Sequence, residues 1–128
     1  MFVNMVIRPP KNTYPALEMD VPKETELGGK KYKIENFQVA NYNGEMLCAQ
    51  FIEPAVEEER SGDTMPCVIY MHGNAGNLQE GSQYYQEVVS RGFTMCAFDF
   101  SGCGNSEGQW VTLGHKECED LKAVVEYL

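Results

Sequence analysis

The sequence predicts an α/β fold: an antiparallel β-hairpin followed by a βαβα unit, with a mostly parallel sheet. Three observations carry that expectation. Two β-rich runs between residues 31 and 52 flank an Asn-Gly turn. Two short, continuous apolar runs, at residues 67–71 and 93–100, have the composition of strands buried on both faces. Between and after them the apolar residues change to helical spacing.

Residues 1–30 read as an irregular lead-in. Its apolar start, Met1 to Ile7, is too short for a signal-peptide core and has no basic start or cleavage site. Arg8-Pro9-Pro10 follows, and the segment ends at the Gly28-Gly29 turn. From Lys31 the pattern changes. Tyr32, Ile34, Phe37 and Val39 alternate imperfectly, Asn41-Tyr42-Asn43-Gly44 signals a turn, and residues 46–52 return. Residues 53–66 form a connection whose acidic run, Glu57-Glu58-Glu59, reads as a solvated loop. The strand at 67–71 runs into His72-Gly73-Asn74-Ala75-Gly76-Asn77. Tyr84, Tyr85, Val88 and Val89 then mark a helix that stops at Arg91-Gly92. After the second apolar strand and a glycine-rich loop at 102–108, Cys118, Leu121, Val124, Val125 and Leu128 keep a 3.6-residue period, with Thr112 as the expected N-cap. Residues 31–128 therefore constitute the domain proper.

Composition narrows the function classes. A chain of 128 residues with 43% hydrophobic residues supports one domain, and folding buries roughly two-thirds of its unfolded surface. No apolar run approaches the ~20 residues of a membrane span. Ten basic against nineteen acidic residues argue against a nucleic-acid surface, because neutralising phosphates needs clustered Lys and Arg. Cys48, Cys67, Cys96, Cys103 and Cys118 include no C-x-x-C pair, and Cys48, Cys67 and Cys96 sit in apolar runs where a thiol acts as a small hydrophobe. His115 and Cys118 share a helix face, but two ligands do not make a metal site. The expectation is reduced thiols, no metal, no cofactor and a cytoplasmic setting, compatible with peripheral membrane association.

Two loops carry the chemistry. In residues 72–77 the glycines permit a tight turn after a strand and leave N–H groups unshielded beside a helix start, a site suited to negative charge. In acyl transfer a pre-aimed donor there is worth about 3 kcal/mol to the tetrahedral intermediate. The structural alternative is a β-to-α turn capped by Asn74 and Asn77. The second loop, Asp99-Phe100-Ser101-Gly102-Cys103-Gly104-Asn105-Ser106-Glu107-Gly108, imitates several motifs. Its glycine spacing is one residue too long for a dinucleotide fingerprint, and no Lys follows as in a Walker loop. It matches G-x-S-x-G at Gly104 to Gly108. A nucleophile elbow, however, runs from strand straight into helix, and here three residues precede Gly104 and no helix opens at Ser106. Ser106 is therefore expected to be a decoy, a turn residue bonded to backbone.

Together, the His72–Asn77 loop, the Asp99-x-x-Gly-x-Gly-x-Ser-x-Gly loop and the helix with Asp120 and Leu128 resemble the α/β-hydrolase fold. More narrowly they are similar to its Bem46-like, serine-aminopeptidase-like branch, which includes protein depalmitoylases. The lead-in Ile7-Arg8-Pro9-Pro10, with Tyr14, resembles the segment preceding the core in that branch. The resemblance implies that residues 32–53 are strands one and two, 67–72 strand three and 94–100 strand four. It makes the Asn74 N–H, with Ala75 alongside, the oxyanion-hole donor and His72 a structural residue of that loop; Gly73, Asn77, Asp99, Gly102, Gly104 and Ser106 are read as structural loop residues, Cys48 and Asp99 taking no role from the resemblance.

The family's nucleophile elbow follows the fifth strand, after the helix that here ends at Leu128. The resemblance thus implies the N-terminal part of a serine hydrolase for esters, thioesters or amides, with no catalytic nucleophile, acid or base in this chain, inactive alone. Its substrate in the complete protein would be a small molecule or an acylated partner. An unpaired strand edge would be left open to self-association. Two other readings remain at this stage: a non-catalytic α/β binding module, and a nucleotide- or S-adenosylmethionine-binding enzyme.

Overall fold

In the computed structural model of the chain, residues 2–57, 60 and 62–128 are described, residue 2 by its backbone alone. Glu58 and Glu59 of the acidic run lie outside them. One sheet of five strands organises the molecule: β1 (Lys23–Leu27), β2 (Lys30–Ala40), β3 (Met46–Pro54), β4 (Cys67–Met71) and β5 (Thr94–Phe98), in the order β1-β2-β3-β5-β4. A short helix, α1 (Phe2–Ile7), opens the chain. A 3₁₀ segment (Leu78–Tyr84) leading into α2 (Tyr85–Val89) joins β4 to β5, and α3 (His115–Tyr127) follows.

The sheet is mixed rather than mostly parallel. β1/β2, β2/β3 and β3/β5 are antiparallel, and only β4/β5 is parallel. The reason is connectivity: hairpins supply the first neighbours, and a single helical crossover separates β4 from β5. The lead-in is also more ordered than expected, because residues 23–27 pair with β2 from Lys23↔Ile34 to Leu27↔Lys30. Gly28 and Gly29, at φ 60° and 79°, make the two-residue turn that a tight hairpin demands. The Lys-Glu-Thr-Glu-Leu sequence of β1 has almost no apolar alternation to betray it, since it is an edge strand facing solvent.

Packing follows the pleat of β5, every residue of which is buried. Cys96 and Phe98 point to one face, where they meet Phe37, Leu47 and Val124 of α3. Met95 lies on the other with Ile52 and with Tyr85 and Val89 of α2. Alternation along one strand thus sends the two helices to opposite faces of the sheet. A third cluster joins Cys48, Leu78 and Ala97 to Tyr14, Leu17 and Met19 of the lead-in.

β4 departs from the expectation of burial on both faces: Cys67, Val68 and Met71 are exposed. Its apolar composition suits a central strand, but it lies at the end of the sheet, with β5 as its only strand partner among the described residues. Cys67 is therefore an exposed thiol, whereas Cys48, Cys96 and the loop residue Cys103 are buried, and all five cysteines are free.

A buried carboxylate ties α3 to the sheet at the carboxyl ends of β2 and β5. Asp120 of α3, fully buried, accepts from Asn41 Nδ2 at 2.8 Å and from the Ser101 N–H at 2.8 Å. Asn41 Oδ1 in turn accepts the N–H groups of Asn43 and Glu45 at 3.0 Å, which shapes the β2–β3 turn. Asp120→Asn would set its NH2 group against one of these two donors whichever way the new amide is turned. We expect it to lower stability by about 1–3 kcal/mol in denaturant unfolding, while Glu119→Gln on the exposed face leaves the midpoint unchanged.

Candidate active site

The parallel pair β4/β5 ends in the two loops singled out above, and such loops at the carboxyl ends of parallel strands form the ligand crevice of α/β sheets. In the first, His72 is buried and both ring nitrogens are engaged. Nδ1 lies 2.7 Å from the Gly73 carbonyl, and Nε2 accepts the Phe100 N–H at 3.1 Å. That pattern selects the Nδ1–H tautomer and leaves no lone pair for a general base. His72 thus ties the two loops together. Gly76 N–H donates to Gly73 O at 3.0 Å, closing a turn with Asn74 and Ala75 at its tip. Ala75 takes φ 59°, a left-handed conformation costing a side-chain-bearing residue about 1–2 kcal/mol. Asn74 is exposed at the lip. Asn77 caps the 3₁₀ segment by accepting the Gln79 N–H at 2.9 Å, and its Nδ2 donates to Asn12 O at 2.8 Å.

The second loop is built around Asp99, which is wholly buried. Its Oδ1 accepts the Leu78 N–H at 2.6 Å; its Oδ2 accepts the Tyr14 hydroxyl at 2.6 Å and the Asn105 N–H at 2.8 Å. Burial pushes the Asp99 carboxyl pKa up, opposed by these three donors. Burial, with the neighbouring carboxylate, likewise pushes the Tyr14 phenol up. Gly104 lies so close to Asp99 that a methyl group there would overlap the carboxylate, and its φ of 48° suits glycine. Gly102 N–H closes the loop on Glu107 O at 2.8 Å.

Ser106 is buried and saturated by backbone. Its hydroxyl donates to Asp99 O at 2.8 Å and accepts the Cys48 N–H at 2.8 Å, while Lys11 Nζ donates to its carbonyl at 2.6 Å. Gly104 and Ser106 of the G-x-S-x-G match thus pack against Asp99, with the Ser106 hydroxyl committed to backbone. Sequence reasoning missed Tyr14 and Lys11 as partners of this loop. The available signal was Asp99 itself, a carboxylate between Phe98 and Phe100 that needs donors brought from elsewhere.

Between the loops lies a cavity of about 160 Å³. Glu117 of α3 reaches it but is fully engaged, accepting from the Thr112 hydroxyl and from the N–H groups of Thr112 and Gly114 at 2.7–2.9 Å. Burial opposes its ionisation, yet these bonds outweigh burial and bring its pKa to about 2. The N-cap of α3 is Gly114 rather than the expected Thr112, whose Oγ1 instead accepts the Lys116 N–H at 2.7 Å from two residues further out. His115 and Cys118 are exposed, and no group of three or more potential metal ligands gathers among the described residues. Burial pushes the Cys48 and Cys103 thiols up and the Cys96 thiol up to about 12.

With this geometry in place, comparison with known proteins is informative. A profile of the X-Pro dipeptidyl-peptidase (S15) family matches residues 6–128. The chain belongs to this family. Its fold is the α/β-hydrolase fold: the esterase Pf2001 of Pyrococcus furiosus superposes with a TM-score of 0.60 at 23% identity, covering 94% of this chain and 42% of that one. At that identity the likeness speaks for fold alone. A hypothetical protein of Pseudomonas aeruginosa, PA2218, superposes with a TM-score of 0.61 at 28% identity, over 88% of this chain and 36% of that one. Its sequence is 33% identical over 102 residues, 75% of this chain and 26% of that protein. Uncharacterized protein R595 of Acanthamoeba polyphaga mimivirus is 29% identical over 70 residues, 54% of this chain and 24% of that protein. The chain therefore spans about a quarter of the length of these curated relatives. Membership of the S15 family gives it a hydrolase lineage, although the family matched is not the narrower Bem46-like branch. No helix among the described residues is long and apolar enough to cross a membrane.

Two outcomes follow from the loop geometry. Gly104→Ala should cost about 2–4 kcal/mol in chemical unfolding, from overlap with Asp99 and the unfavourable φ. Glu117, whose folded pKa lies below its unfolded value of 4.5, contributes stability that is present above pH 4.5 and lost as pH falls towards 2. Melting curves from pH 7 to 2 should fall across that window, and Glu117→Gln should flatten the acid limb while lowering the neutral-pH midpoint.

Proposed function

We propose that the chain supplies the oxyanion-loop part of a serine hydrolase acting on ester, thioester or amide bonds of a small molecule or an acylated partner. The observation that carries this reading is the turn at Gly73–Gly76. It presents Asn74 and Ala75 at the carboxyl end of β4, beside a cavity and above the only parallel strand pair among the described residues. In that reaction a serine oxygen attacks the carbonyl carbon, its proton passes to a histidine, and the oxyanion takes the Asn74 N–H. Collapse expels the alcohol, thiol or amine with that proton, and water then releases the acid.

Several observations support placing the triad outside these 128 residues. Ser106 is committed to backbone, both His72 nitrogens are engaged, and His115 is exposed at the start of α3. The outer edge of β4, apolar and without a strand partner among the described residues, suits a further parallel strand bearing the nucleophile. The Bem46-like branch, with its depalmitoylases, is one narrower form of this proposal.

Fluorophosphonate labelling and a p-nitrophenyl ester panel test it. The 128-residue chain should neither label nor hydrolyse above background, and a product read on through any coding sequence past Leu128 should label at a serine following the next strand. Labelling of the short chain at Ser106, abolished by Ser106→Ala, overturns the reading; so does an extended product that hydrolyses none of the esters.

A further inference from the structure

Exposed apolar side chains gather mainly at three places on the molecule, and their surroundings differ. Beside β4, Val68, Tyr84 and Phe93 share a groove with Glu87 and Arg91. At the end of α3, Val125, Tyr127 and Leu128 adjoin Glu126. The third group is Val3, Met5 and Val6 of α1 with Trp110 and Leu113. Residues 1–17 and 108–116, which carry it, include Arg8, Lys11 and Lys116 but none of the chain's nineteen acidic residues.

Bonds hold these two segments side by side. The Val111 N–H donates to the Ile7 carbonyl at 2.8 Å, and Arg8 Nη2 donates to Gln109 Oε1 at 3.1 Å. The Arg8 guanidinium lies 4.2 Å from the centre of the Trp110 ring. Trp110, the only tryptophan of the chain, is 43% exposed and so forgoes much of the burial an indole usually gains. Its backbone is closely packed, since a Cβ on Gly102 would meet the Trp110 carbonyl oxygen at 2.9 Å. The flanking carboxylates turn to backbone donors, Glu107 to the Met46 N–H and Glu117 to the N–H groups of Thr112 and Gly114. Glu45 offsets Lys116 at 3.0 Å. Arg8 and Lys11, bonded to the neutral oxygens of Gln109 and Ser106, remain as the cations of the patch.

We propose that α1 and residues 109–113 form a docking surface for a phospholipid bilayer that carries anionic headgroups. The apolar side chains and the indole seat at the boundary between headgroups and acyl chains, where Arg8 and Lys11 meet phosphates. At physiological salt, exposed charges more than about 8 Å away are largely screened, so the acidic remainder of the chain does not cancel this attraction. A fluid boundary also accepts a six-residue helix without a shape-matched groove. Contact is peripheral, because no helix among the described residues is long and apolar enough to cross a membrane. Leu113 also lines the cavity between the two loops, so docking sets the mouth of that cavity against the bilayer. Docking of this kind is independent of the hydrolase reading.

Trp110, as the only tryptophan, reports the contact directly. Vesicles of phosphatidylcholine with about 30% phosphatidylserine, added to the 128-residue chain at physiological salt, should shift its emission saturably to the blue. Brominated acyl chains should quench it, a readout that needs no variant. In flotation, phosphatidylcholine alone should bind at least threefold more weakly, and Arg8→Gln should remove that preference. Val3→Glu with Met5→Glu should weaken binding at least fivefold, whereas Val125→Glu, exposed on α3, should leave it unchanged. Circular dichroism should be the same for every variant. Absence of a shift and of flotation with the mixed vesicles overturns the proposal, as does binding that ignores Val3 and Met5 or falls equally with Val125→Glu. A blue shift that grows with protein concentration in the absence of lipid assigns the patch to a second copy of the chain and overturns it as well.

Discussion

The buried carboxylate of Asp99 is the interaction on which the rest of the site depends. A charge removed from water costs several kcal/mol unless donors replace the solvent. Here the donors come from three separated segments: the Tyr14 hydroxyl from the lead-in, the Leu78 N–H after the first loop and the Asn105 N–H within the second. Satisfying one carboxylate therefore positions all three segments at once. The same demand explains why residue 104 must be glycine and why Ser106 turns inward to the Asp99 carbonyl. Asp120 repeats the device at the same end of the sheet, joining α3, the β2–β3 turn and Ser101.

How much of this was legible in the sequence depends on whether the signal was local. The β2–β3 hairpin was readable because Asn41 and Gly44 are turn residues whose chemistry acts over four positions. The alternation of β4, α2, β5 and α3 was readable because period and punctuation are local as well. β1 was not, because Lys-Glu-Thr-Glu-Leu owes its strand conformation to pairing with β2 and to the positive φ of Gly28 and Gly29. The exposure of β4 was not readable either. Cys-Val-Ile-Tyr-Met has the composition of an interior strand, and only the strand order shows it at an edge.

The candidate site shows the same division. The two loops could be marked from their glycines, and the G-x-S-x-G match could be doubted from its spacing to the strand. Their partners could not be found, since Lys11 and Tyr14 lie about ninety positions from the residues they bond. Glu117 reads as an ordinary helix glutamate, yet its bonds to Thr112 and Gly114 decide both how α3 begins and how little charge the cavity wall offers a ligand.

The docking of the lead-in has a consequence for the order of folding. Tyr14 and Asp99 are 85 positions apart, Lys11 and Ser106 are 95, and Arg8 and Gln109 are 101. During synthesis Arg8, Lys11 and the Tyr14 hydroxyl have no partners until β5 and the loop after it have emerged. Contacts of such high sequence separation form late and slow folding, because loop closure must precede their reward. The β2–β3 hairpin can form within tens of residues, whereas the Tyr14 hydroxyl stays without its Asp99 partner until β5 has emerged. Until Leu78 and Ala97 have emerged, the nascent chain exposes Tyr14, Leu17 and Met19, the side chains that later pack on them.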